Sequence, residues 1–135
     1  VGVRDEPAPT VRPWVAAAAD LAVVVLFVLI GRRSHHEDAG AAGFLRVWWP
    51  FAAGLLLAWL VTRLDRAPLA WGRAVVAWIL TVAVGMALRI AVEGREFKLA
   101  FTVVTLLFLG AGMLGWRAIV RAVRARRRSS AVAEV

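Results

Sequence analysis

Four long apolar stretches occupy most of this 135-residue chain, and the first carries a carboxylate, Asp20, in its interior. A helix needs roughly 20 residues, at about 1.5 Å each, to cross a hydrocarbon core of about 30 Å. Inside lipid no water serves the backbone, so each crossing segment must pair its own N–H and C=O groups. The stretches therefore read as transmembrane helices over residues 14–31, 44–62, 71–92 and 99–116. Short polar connections make sequence neighbours antiparallel. The expected fold class is all-α, an integral membrane four-helix bundle. A tail over 1–13 precedes it and a basic tail over 117–135 follows.

Composition agrees. Hydrophobic residues make up 61% of the chain and mean hydropathy is +0.74. A soluble domain is about 45–50% apolar, and a chain this short has too little interior to hide the excess. The absence of cysteine excludes disulfides and thiolate chemistry. The first stretch is longer than the apolar core of a signal peptide, and no small-residue cleavage site follows it at once. It reads as a retained helix.

Formal net charge is +8, and the excess is uneven. With four spans both termini share one side. That side holds eleven basic residues, six of them between Arg117 and Arg128, against six on the other. The positive-inside rule then expects both termini to be cytoplasmic, in the inner (cytoplasmic) membrane of the cell as a multi-pass protein. The same basic excess implies anionic lipid headgroups as partners, and no nucleic acid.

Asp20 is the residue that most invites chemistry. A carboxylate at a helix centre costs about 2.5–3.5 kcal/mol on insertion scales, so it should turn into the bundle toward a partner. Counting along opposed helices brings Arg73 and Arg63 to a similar level, with Thr81 somewhat deeper. This intramembrane polar site has two readings: a structural ion pair locking helix to helix, or a carboxylate that handles ions or protons. The lock is favoured because arginine is within reach. Arg73 and Arg89 are separated by too short an apolar run to sit at both faces of a bilayer, so each must snorkel or find a partner.

At the far end of the first span stands Gly-Arg-Arg-Ser-His-His-Glu-Asp, residues 31–38. Adjacent histidines aim poorly at one ion, so no metal is expected. Ser34, His35 and Asp38 lack an oxyanion-hole motif, so no catalytic triad is expected either. Arg32, Ser34, His35, Arg89 and Glu93 are expected to meet as a polar cluster at this mouth, suited to a headgroup or small anion. At the C-terminal end, Arg117, Arg121, Arg124 and Arg128 are spaced 4, 3 and 4, one helical face. That face is expected to contact lipid headgroups. A disordered tail is the competing expectation.

Several short motifs occur together. They are Asp20, Phe27, Gly-Arg-Arg-Ser-His at 31–35, Trp-Pro-Phe at 49–51, Gly-Met-Ala-Leu-Arg at 85–89 and Gly-Trp-Arg at 115–117. In this order and spacing they resemble the prokaryotic membrane family called domain of unknown function 3054, over roughly residues 11–120. The resemblance implies four membrane helices and singles out Asp20, Arg32, His35, Pro50, Arg89 and Arg117. It implies no activity.

Two functions from different classes follow. One is a non-catalytic structural or accessory membrane protein held by an Asp–Arg lock. The other is a transporter or channel for protons or a small ion that uses Asp20. Four thin helices enclose little space, so this second reading needs a homo-oligomer. No nucleophile–base pair or ligand set stands out, so neither an enzyme nor a cofactor is expected.

Overall fold

The computed structural model describes residues 11–34 and 40–134, with Ser34 described by its backbone alone. Four helices follow one another: α1 (Pro13–Ser34), α2 (Ala41–Thr62), α3 (Trp71–Ala91) and α4 (Leu99–Ala133). All four are long and apolar enough to cross a membrane, and no strand occurs among the described residues. Their outward faces are lined with exposed Leu, Val and Ile, the surface that lipid solvates.

Packing runs as a ring. α1 lies on α2, α2 on α3, α3 on α4 and α4 on α1, so α1 and α3 face each other across the diagonal. The start of α1 is level with the end of α2 and with Arg117 of α4, as antiparallel neighbours require. The closest pair is α2 with α3, and glycine explains why. A Cβ at Gly54 would stand 2.8 Å from the Thr81 carbonyl oxygen and 3.1 Å from the Gly85 nitrogen. One at Gly85 would enter the Phe51 ring. Small residues here let two backbones touch. On α4, Ala111 and Gly115 have the spacing of a small-residue packing pair but do not act as one: Ala111 is exposed and nothing approaches Gly115. Gly110, under the Trp78 ring, and Gly112, under Val23, take that part.

The middle of the bundle is aromatic. Phe27 meets Phe51 edge-on, with centroids 5.4 Å apart, and Phe108 at 5.6 Å. Thr81 and Thr105 are buried, and each returns its hydroxyl to the carbonyl four residues earlier. They add no polar surface to the core.

α1 runs to Ser34, three residues past its expected end, and two further boundaries differ from the sequence reading. α2 begins three residues earlier than expected, so Pro50 lies well inside the helix rather than in its first turns. Its ring is buried, and it leaves the Arg46 carbonyl without an i+4 donor. α4 does not stop near Trp116. It runs on for 35 residues in all, about 52 Å, well past the thickness of a hydrocarbon core. A helix replaces the disordered-tail alternative.

Candidate functional site

α1 carries Asp20 inward on a turn of alanines. Ala16, one turn earlier, is fully buried like Asp20 itself. On α4, Thr105, Leu109, Met113 and Arg117 recur every fourth residue and form the buried stripe. Arg117 ends that stripe, so its guanidinium turns into the bundle with the rest. Both side chains are 0% exposed.

The two meet in a two-point pair. Arg117 Nη1 donates to Asp20 Oδ1 at 2.8 Å, and Nη2 donates to Oδ2 at 2.7 Å. Two indoles complete the carboxylate: Trp116 Nε1 donates to Oδ1 at 2.8 Å and Trp59 Nε1 to Oδ2 at 3.0 Å. The carboxylate thus accepts four bonds from three side chains on two helices. The guanidinium is equally engaged. Its Nε donates to the Pro68 carbonyl and its Nη1 also to the Met113 carbonyl, both at 2.8 Å. The Trp116 ring lies 4.5 Å from the guanidinium carbon, a cation–π contact. Planar, forked geometry of this kind belongs to arginine and not to lysine.

Pro68 belongs to the turn between α2 and α3, and three arginines donate to carbonyls of that turn. Arg117 takes Pro68, Arg121 takes Leu69 at 3.0 Å, and Arg73 takes Arg63 at 2.8 Å. Arg63 itself is in the left-handed region, φ 53°. One clamp therefore ties α1, the end of α2, the α2–α3 turn and α4 together.

Several expected placements change. Asp20 does point into the bundle, but its partner is Arg117, not Arg73 or Arg63. α3 lies across the diagonal from α1, and Arg73 and Arg63 are exposed at the α2–α3 turn. Thr81 is buried but bonds its own helix, away from Asp20. Arg117 is not a headgroup contact, because it is sealed. Of the expected basic face, Arg121 and Arg128 are exposed and Arg124 is half-buried.

At the opposite end the expected mouth cluster divides. Arg32 and Arg89 line one cleft, with the Arg89 guanidinium 4.2 Å from the Phe101 ring centre. Glu93 turns instead to α2, where it accepts from Trp49 Nε1 at 2.8 Å and pairs with Arg46 at 3.8 Å. His35 and the Ser34 side chain lie outside the described residues. No group of three potential metal ligands occurs among the described residues.

Sequence reasoning missed Trp59 and Trp116 as carboxylate donors. The every-fourth-residue stripe that ends at Arg117 was the signal for its inward direction. The resemblance had already singled out both Asp20 and Arg117, without pairing them.

A family model described as "Protein of unknown function (DUF3054)" matches residues 17–120. The matched segment starts before Asp20 and ends after Arg117, so it contains the ion pair and both indoles that complete it. Comparison with curated proteins and with solved structures gives no match.

Proposed function

The chain belongs to the DUF3054 family of proteins of unknown function, and from the clamp we propose that it is a non-catalytic structural or accessory membrane protein. The Asp20–Arg117 pair is its internal lock. One observation carries this reading: both oxygens of Asp20 are occupied and the side chain is 0% exposed. A carboxylate that passes protons or ions must exchange partners with water or cargo. This one is held by a bidentate arginine and two indoles instead. Replacing such a lock with one partner missing leaves a buried charge, which is why the pair tolerates no half.

The clamp end of the bundle faces the cytoplasm in this reading, in the inner membrane of the cell. The support is the Arg-rich continuation of α4, whose Arg124, Arg126, Arg127 and Arg128 then lie beside anionic headgroups. Accessory proteins act through their lipid-facing helices, and the exposed apolar faces of α2 and α4 offer room for a second copy or another membrane protein.

Reconstitution into liposomes tests the reading against transport. The expected result is no proton or small-anion flux that depends on Asp20, together with a lowered melting temperature for Asp20→Asn in detergent. A stable, folded Asp20→Asn protein that has lost a wild-type flux overturns it.

A further inference from the structure

α2 is built in two unlike parts, and Pro50 is the join. Every buried residue of this helix, Pro50, Phe51, Gly54, Leu55 and Ala58, lies from the proline onward. That inner part is pressed onto α3 at Gly54, where backbone meets backbone. None of residues 41–49 is buried. A proline inside a helix removes one hydrogen bond and presses on the carbonyl four residues back, so a helix bends most readily there.

One carboxylate ties the outer part to the end of α3. Glu93, just past that end, accepts from Trp49 Nε1 at 2.8 Å and pairs with Arg46 at 3.8 Å. Within the outer part, Phe44 and Trp48 stack with their ring planes 18° apart, which keeps it a single unit. Trp48 carries the opposing influence. Its Nε1 is buried and has no hydrogen-bond partner among the described residues. An enclosed N–H without an acceptor raises the energy of the arrangement that encloses it.

We propose that residues 41–49 form a hinged arm, which pivots at Pro50 and is latched by Glu93. The arm carries Val47, which lines a cleft of about 640 Å³ together with Phe27 of α1 and Phe101 of α4. That volume is within the range of small-molecule sites, roughly 300–1,000 Å³. Unlatching moves Val47, changes the width of the cleft and gives the Trp48 N–H access to water at the membrane boundary, where its neighbour Trp49 already reaches Glu93. Latch and unmet N–H act in opposite directions: the two polar contacts of Glu93 hold the arm in, and Trp48 favours its release. The device is independent of the Asp20 lock, whose residues lie at the other end of the bundle.

Distances between pairs of spin labels test it in the full chain reconstituted into lipid vesicles. The chain has no cysteine, so labels attach only where one is introduced. Leu45→Cys with Ile90→Cys spans the arm and α3, and Leu60→Cys with Val76→Cys spans the inner part of α2 and α3, all four at exposed positions. With no other change, a single latched distance should dominate the first pair. Glu93→Ala removes both contacts of the latch and should raise the share of a second distance about tenfold, as expected on losing a charge-assisted hydrogen bond. Adding Pro50→Ala, which restores the helical donor, should lower that share again, and so should adding Trp48→Phe, which keeps a ring but removes the unmet N–H. The second pair should hold its distance throughout, which shows that the bundle remains folded. A first pair that keeps its single distance in Glu93→Ala overturns the proposal. So does a share of the second distance that neither added substitution reduces, or an equal change in the second pair, which would mean that the whole of α2 leaves α3.

Discussion

Arg117 and Asp20 stand 97 positions apart in the chain and meet as a fully buried, two-point ion pair, with N–O distances of 2.8 and 2.7 Å. In lipid neither side chain has an alternative partner in the solvent. Breaking a buried pair by removing one member costs about 3–5 kcal/mol, because the other charge is stranded. Asp20→Asn and Arg117→Gln should therefore each lower the melting temperature in detergent markedly. The double variant should be less destabilised than the sum of the singles, the signature of direct coupling. Additive losses would show that the two side chains do not act as a pair.

Lysine should not replace Arg117. The guanidinium uses Nε on Pro68 and Nη1 on Met113 while both Nη atoms hold Asp20. An ammonium keeps the charge but cannot fork across two carboxylate oxygens and reach the turn as well. Arg117→Lys should unfold at a temperature well below wild type, closer to Arg117→Gln. Wild-type stability in Arg117→Lys would mean that charge alone holds α4 in place.

The two indoles provide a graded test. Trp59→Phe and Trp116→Phe keep a ring but remove the N–H that reaches Asp20. A carboxylate deprived of one donor among four should lose about 1–3 kcal/mol. Each should melt below wild type but above Asp20→Asn. Trp71→Phe, at an exposed position outside the clamp, is the control and should melt like wild type.

Much of this architecture was legible in the sequence because its cause is local. Apolar length and backbone self-pairing decide a membrane helix without reference to any neighbour, and all four helices lie where the apolar runs are. The site was only half legible because its cause is not local. The cost of burying Asp20 says that it needs a partner, but the partner depends on which helices are adjacent. With α3 on the diagonal, Arg73 at a matching depth is out of reach. Arg117 was read forward, with Arg121, Arg124 and Arg128, as part of a basic face. Read backward, with Met113, Leu109 and Thr105, it belongs to the buried stripe. Both periodicities are present in the sequence, and only the packing of α4 against α1 selects between them.

Glycine positions should separate sharply under Gly→Ala substitution. Gly54 faces the α3 backbone, which cannot move aside as a side chain can, and Gly85 lies under the Phe51 ring. Gly54→Ala should cost about 1–3 kcal/mol, the usual range for overpacking. Gly115→Ala meets nothing within 4 Å and should be neutral or slightly stabilising through helix propensity. Equal melting temperatures for the two variants would contradict the close α2–α3 contact.

The orientation can be read from the chain's lack of cysteine, which makes any introduced thiol unique. Glu96 is exposed in the connection between α3 and α4, and Ser129 is exposed near the end of α4. α4 separates them, and its apolar part is the membrane-crossing part. In the orientation proposed above, the side that carries Ser129 and the Arg-rich end of α4 is the cytoplasmic one. With Glu96→Cys, a membrane-impermeant maleimide should label intact cells. With Ser129→Cys, labelling should appear only after the membrane is permeabilised. The reverse pattern would invert the bundle and put the Arg-rich helix outside. Labelling of both in intact cells would mean that α4 does not cross.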